Sequence, residues 1–228
     1  SALMCSQAPV QRIVISLGCP RAFPSKNTLL IFGNDGTARP SRRPSNFTPA
    51  VAVSVSLVLR TKPSIAVVDL SEQNIGDNGA KILAAGLAVS AVEFLKLSEC
   101  EVGGEGVEAL AVALKCAPML SHFYLTDNPL GDAGAVSIAA AFPASRIIRL
   151  GLNGCGIGDE GAAALAAALK RAPQLGDLLL RKNHITTQGE RLLVEAWDGR
   201  GTVGVGLHDI FYDTFFNLDL KYQFHELR

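Results

Sequence analysis

The chain reads as an α/β solenoid, with parallel strands along one face and helices along the other. Three observations predict it. Five segments align without gaps: VDLSEQNIGDNG from Val68, LKLSECEVGGEG from Leu95, FYLTDNPLGDAG from Phe123, LGLNGCGIGDEG from Leu150 and LLLRKNHITTQG from Leu178. Their starts lie 27, 28, 27 and 28 residues apart. Each unit alternates apolar and polar residues, turns, reaches a glycine and runs on into a helical pattern, which is how one supersecondary unit repeats along a chain.

Physical reasons attach to each position. The alternating start, as in Leu95 and Leu97, makes a short strand with one face buried. The sixth residue is Gln73, Cys100, Asn128, Cys155 or Asn183, and turns inward to bond backbone that the turn leaves unpaired. Cys100 and Cys155 are then buried and inert. Gly79, Gly106, Gly134, Gly161 and Gly189 open the helices, where a side chain would crowd the preceding turn. Leu165 and Leu169, at i and i+4, face the core. Helices are wider than strands, so the stack bends with the sheet on its concave side.

The ends depart from the pattern. Phe47–Leu59, followed by Pro63 in line with Pro118 and Pro173, matches the helix of a preceding unit. Leu29–Phe32 is expected as its strand and Ile13–Leu17 as one more, with a loop containing Arg-Pro-Ser-Arg-Arg-Pro-Ser between strand and helix. Downstream, Val205 opens a degenerate sixth copy. Phe216, Leu218, Leu220, Tyr222 and Phe224 then alternate with polar residues, as an edge-covering or subunit-docking strand would. The segment 211–224 holds six of the fourteen aromatic residues. Three regions follow: a basic extension and cap over 1–46, repeats over 47–210, and an aromatic cap or docking strand over 211–228.

Over residues 50–210 these units resemble the leucine-rich repeats of the ribonuclease-inhibitor type, including their alternation of two repeat kinds. The resemblance implies a right-handed horseshoe that binds proteins on its concave face. Strand alternation places Val67, Asp69, Ser71 and Glu72, then Phe94, Lys96, Ser98 and Glu99, on that face. His122, Tyr124, Thr126 and Asp127 follow, then Arg149, Gly151 and Asn153, and lastly Leu179, Arg181 and Lys182. Acids dominate the first three units and bases the last two. Such a field either orients a partner with the opposite split or pairs across strands at roughly 0.2–1 kcal/mol per pair. Outer helix positions, charged in most relatives, read Ala85, Val112, Ala140 and Ala167 in one row. A second row reads Lys81, Glu108, Val136, Ala163 and Arg191, and Ala133–Ser145 carries no charge. An apolar outer face points either to burial against other chains or to alanine as a good helix former.

Composition narrows the function classes. The 228 residues are 48% hydrophobic and 18% charged, too apolar and too neutral for wholesale disorder. No apolar run reaches 18 residues, so no membrane-spanning helix is expected. Five cysteines at scattered spacings make neither a disulfide framework nor a zinc site, which points to a reducing intracellular setting. Residues 1–60 hold seven bases and one acid, against 14 and 20 in the remainder. That basic, acid-poor start resembles a transit peptide and points to an organelle, the mitochondrion, with the cytosol as the alternative. It is also suited to an acidic protein, RNA or anionic lipid.

Catalysis is not expected. Gly156-Ile-Gly-Asp-Glu-Gly161 has the dinucleotide-binding pattern, but the same loop recurs in other units without it. Gly199-Arg-Gly-Thr-Val-Gly204 follows a helix and fails on context. His122, His184, His208 and His225 lack neighbours at metal-ligand spacing. The glycosylation pattern at Asn46-Phe47-Thr48 stays unmodified inside a cell. No cofactor, metal or small-molecule substrate is implied. The reading is a scaffold that binds other protein subunits within a large complex. A regulator of a GTPase is the alternative, although the acidic tail of the Ran-activating branch is absent. An inhibitor of ribonuclease would be longer and richer in cysteine.

Overall fold

The computed structural model describes residues 47–62 and 65–197 in full, and the backbone of 13–16, 27–31 and 202–204. Eight strands form one sheet in chain order: β1 (Ile13–Ser16), β2 (Asn27–Ile31), β3 (Ile65–Asp69), β4 (Phe94–Lys96), β5 (His122–Tyr124), β6 (Arg149–Gly151), β7 (Asp177–Leu179) and β8 (Thr202–Gly204). Six helices alternate with them: α1 (Pro49–Thr61), α2 (Gly76–Leu87), α3 (Gly104–Cys116), α4 (Gly131–Ala141), α5 (Asp159–Leu169) and α6 (Thr187–Trp197). From β2 onwards every pair is parallel, while β1 closes the other edge antiparallel to β2. The two early strands fall where apolar runs anticipated them.

The register turns the repeat into columns. Val68, Leu95, Phe123, Leu150, Leu178 and Val203 stand opposite one another across six strands. Behind β3 to β7 lie two further buried columns, Leu70–Leu97–Leu125–Leu152–Leu180 from the turns and Leu83–Leu110–Ile138–Leu165–Leu193 from the helices. No helix could bury its apolar stripe alone; each does so between its own strand and the neighbouring helices. Val203, rather than Val205, occupies the sixth place. The spacing from Leu178 thus shortens by two residues, which preserves the facing of every side chain. The rest of the expected sixth copy lies outside the described residues.

Turn chemistry sets where each helix begins. Thr48 caps α1, its side chain accepting the Val51 N–H at 3.4 Å, with Pro49 supplying a pre-set φ. In α3 and α5 the capping group comes from the preceding repeat. Asp77 Oδ1 accepts the N–H groups of Gly103 and Gly106 at 2.7 and 2.9 Å, and Asp132 Oδ1 does the same for Gly158 and Gly161. This accounts for the helix-opening glycines. A Cβ at Gly106 would lie 2.6 Å from Asp77 Oδ1, and one at Gly161 would lie 2.7 Å from both Asp132 Oδ1 and Ile157 Cγ2.

Candidate protein-binding surface

The sixth-position side chains form a ladder inside the turns. Asn128 Oδ1 accepts the N–H groups of Cys100 and Val102 at 3.0 Å, and its Nδ2 donates to the carbonyls of Leu97 at 2.7 Å and Leu125 at 2.8 Å. Asn183 repeats all four bonds one pair of units later, with Cys155, Ile157, Leu152 and Leu180. Between them, the thiols of Cys100 and Cys155 donate to the carbonyls of Leu70 and Leu125 at 3.1 and 3.2 Å. Burial disfavours the thiolate and pushes both thiols up to about 12. The ladder fixes the strands that carry the concave face.

On that face the middle strands bring together aromatic and basic groups. The rings of Phe94 and His122 stack with centroids 4.0 Å apart and planes 19° from parallel. The Lys96 ammonium lies 5.9 Å from the centre of the Tyr124 ring, within cation–π range. The Tyr124 ring lies over β6, where a Cβ on Gly151 would come within 2.6 Å of its Cδ1. Arg149 Nε donates to Asp177 Oδ2 at 2.8 Å, and its guanidinium also bonds the Tyr124 hydroxyl. Burial opposes the Arg149 charge, but Tyr124 and Asp177 outweigh it and raise the guanidinium above its ordinary value. The result is a continuous patch across β4 to β7, half-buried and braced from both sides.

Several expected positions change meaning. Glu72, Glu99, Asp127 and Lys182 are not strand residues facing outward by alternation. They sit at φ between 54° and 60°, in the left-handed turn that ends each strand, and Gly154 fills the same column at φ 62°. Val67 and Gly151 are buried. Arg149 is held by Asp177, a residue the charge reading had passed over, so one strand charge pairs across the sheet as the alternative had it. The charge split persists in the turn column, which runs Glu72, Glu99, Asp127, Gly154, Lys182. Asp69 and Arg181 are partly exposed at the two ends of the face. On the outer side Val112, Val136, Ala140 and Ala167 are exposed, while Ala163 is half-buried. Phe216, Leu218, Tyr222 and Phe224 lie outside the described residues.

The capping carboxylates Asp77, Asp132 and Asp159 were not foreseen as ligands of the next repeat, although the recurring Gly-Asp pair was their signal. Among the described residues no three His, Cys, Asp or Glu side chains gather as a metal site would require. No helix among them is long and apolar enough to cross a membrane.

Comparison with known proteins agrees with this architecture. The family described as Leucine Rich repeat matches residues 92–111, 116–139 and 148–166. Human NACHT, LRR and PYD domains-containing protein 5 is 32% identical over 152 residues, covering 65% of this chain and 13% of that protein. Pig ribonuclease inhibitor is 29% identical over 143 residues, covering 61% of this chain and 31% of the inhibitor. The chain thus spans less than a third of the length of either relative. Among solved structures, leiomodin-1 actin-binding site 2 superposes with a TM-score of 0.52 at 17% identity, over 68% of this chain and 90% of that one. The tropomodulin C-terminal domain of Caenorhabditis elegans gives 0.53 at 14% identity, over 64% and 91%; both likenesses concern the fold. With its matched repeats, parallel columns and alternating asparagine and cysteine ladder, the chain carries leucine-rich repeats similar to those of the ribonuclease-inhibitor type.

Proposed function

We propose that the chain is a non-catalytic scaffold, a subunit of a larger assembly that seats a protein partner on its concave strands. Leucine-rich repeats generally mediate protein–protein interaction. The observation that carries the reading is the braced patch of Phe94, His122, Tyr124, Lys96 and Arg149. Tyrosine and arginine held in place by neighbours dominate binding energy at interfaces, because little side-chain freedom remains to be lost on association. The turn column, acidic at Glu72, Glu99 and Asp127, forms a charged rim that would orient a partner presenting bases there. Free, buried thiols at Cys100 and Cys155 fit a reducing intracellular compartment. The organellar reading rests on the charge of residues 1–60 alone. That basic stretch and the aromatic segment 211–224 are further contacts in the same reading, the first for an acidic protein, RNA or anionic lipid, the second for a neighbouring subunit.

The test is purification from the native source, identification of co-purifying chains, and reconstitution with variants. Tyr124→Ala and Lys96→Glu should lose the partner while melting normally. Ala140→Glu/Ala167→Glu, on the opposite face, should retain it. Retention of the partner by the concave variants would refute the concave reading.

A further inference from the structure

The outer face carries large apolar side chains that the fold leaves in solvent. Val53 and Leu57 on α1 are 54% and 59% exposed, Val112 on α3 is 61% exposed and Val136 on α4 is 42% exposed. Aligned on the repeat, they fall in two adjacent rows that run across the helices at mid-length. Ala85 and Ala140 fill two of the four remaining positions, so the rows are apolar except at Lys81 and Glu108 in the first four helices. Helix propensity does not account for valine at such positions, because lysine, glutamate and alanine are all better helix formers.

Charges flank this band with opposite sign on its two sides. Exposed Glu105 and Glu160 lie in the first turns of α3 and α5, and Glu108 lies one turn further along α3, at the edge of the band. Exposed Arg60, Lys115, Lys170 and Arg171 lie in the last turns or just beyond. Lys81 departs from the rule, and it pairs within the chain with Glu105 at 2.6 Å; on α6 the order is reversed, with Arg191 ahead of Glu195, so the pattern belongs to α1 to α5. Compensation of helix dipoles accounts for the polarity of each helix. Summed over parallel helices, it yields an acidic border, an apolar band and a basic border. A surface patterned in that way is complementary to itself under a two-fold rotation about an axis lying along the band. The acidic border of one copy then meets the basic border of the other, and apolar meets apolar.

We propose that the outer helices dock on a second copy of this chain, each helix crossing its counterpart antiparallel, with Val112 close to the two-fold axis. In such an isologous contact a residue on the axis meets itself, and Glu108 of one protomer faces Lys115 of the other. The interface is separate from the concave reading and does not depend on it. Loss of the dimer and loss of the concave partner are produced by different variants.

Charge reversal decides it, by sedimentation equilibrium of the full chain with melting followed by circular dichroism. The wild type should sediment as a dimer. Glu108→Lys and Lys115→Glu should each raise the dissociation constant by about tenfold or more, and the double reversal should return it to within about threefold of wild type. Glu108 and Lys115 are two turns, about 10 Å, apart on one helix, so pairing within a chain cannot produce the rescue. Should either reversal fail to fold, Val112→Cys with Cys5, Cys19 and Cys116 changed to serine should form a disulfide-linked dimer on oxidation. A wild-type chain that stays monomeric at about 100 μM, where even weak contacts are occupied, overturns the proposal. So does a dimer that is indifferent to the single reversals, or one that the double reversal does not restore.

Discussion

Replacing Asn128 by leucine removes five hydrogen bonds while keeping nearly the same shape. The residue is 1% exposed, and its partners are the backbone N–H groups of Cys100 and Val102 and the carbonyls of Leu97, Leu125 and Thr126. None has water to turn to. A buried polar group left without a partner costs about 1–3 kcal/mol, while the leucine side chain returns about 2 kcal/mol of apolar burial. The Leu125 carbonyl still accepts the Cys155 thiol, so three orphaned groups less that return give a net loss of about 4 kcal/mol. Whole domains have only about 5–15 kcal/mol to lose. Asn183→Leu breaks the four equivalents of the Cys100, Val102, Leu97 and Leu125 bonds, but Asn183 is only half-buried near the end of the array, so water reaches part of the turn. Its loss should be about half as large. Urea unfolding followed by far-ultraviolet circular dichroism measures both, and fluorescence of Trp197, the only tryptophan, reports the α6 end separately. Losses below about 1 kcal/mol for Asn128→Leu, or a larger loss for Asn183→Leu, would refute the argument that buried turn backbone depends on this ladder.

Two further outcomes follow from the same turns. Burial raises the thiols of Cys100 and Cys155 to about 12, so both stay protonated well above neutral pH, and the thiolate needed for alkylation forms only above that value. Iodoacetamide at pH 8 should therefore label exposed Cys116 in the native chain, and Cys100 and Cys155 only after denaturation, as peptide mass spectrometry would show. Gly131→Ala meets no atom within 4 Å and suffers only the left-handed backbone, φ +60°, at about 1 kcal/mol. Gly106→Ala drives a methyl group against Asp77 and should lower the melting midpoint further; equal midpoints would show that the inter-repeat cap yields freely.

The columns of the core were legible because they depend on side-chain type at a fixed spacing. Leu95, Phe123 and Leu150 announce a buried strand face wherever they recur, and the inward Asn128 and Cys155 follow from the same count. The left-handed turn residues were not. Glu72, Glu99 and Asp127 look like solvent-facing strand charges, and only Gly154 in their column hints that the backbone has changed hand. Alternation holds while a residue is in the strand and ends with it. Asp177 was missed for a related reason: it is the first residue of its strand, one place before the motif's first apolar position, and its partner Arg149 is 28 positions back in sequence. The two-residue shortening at Val203 lay beyond the motif, where the turn and glycine signals fade.

The alternation of two repeat kinds has one physical origin, the unpaired N–H at the turn into each helix. Where the turn glycine takes a left-handed conformation, at Gly76 (φ 58°) and Gly131 (φ 60°), its N–H reaches the carbonyls of Cys100 and Cys155 in the following repeat. No side-chain cap is then needed, and the preceding repeat offers Gly104 where its relatives have aspartate. Where the glycine stays extended, at Gly103 and Gly158, its N–H bonds instead to Asp77 or Asp132 of the preceding repeat. The last unit tests the rule, because Thr186 replaces the glycine and is not left-handed. Asp159 accordingly returns, with Oδ1 accepting the Thr186 N–H at 2.8 Å and Oδ2 its hydroxyl at 2.6 Å. Those bonds favour the carboxylate and hold Asp159 below its ordinary range, so the cap is present above that range and is lost as pH falls through the lowered value. Glycine conformation and an aspartate one repeat earlier are thus two solutions to one hydrogen-bonding problem, and each repeat's turn dictates what its neighbour must carry.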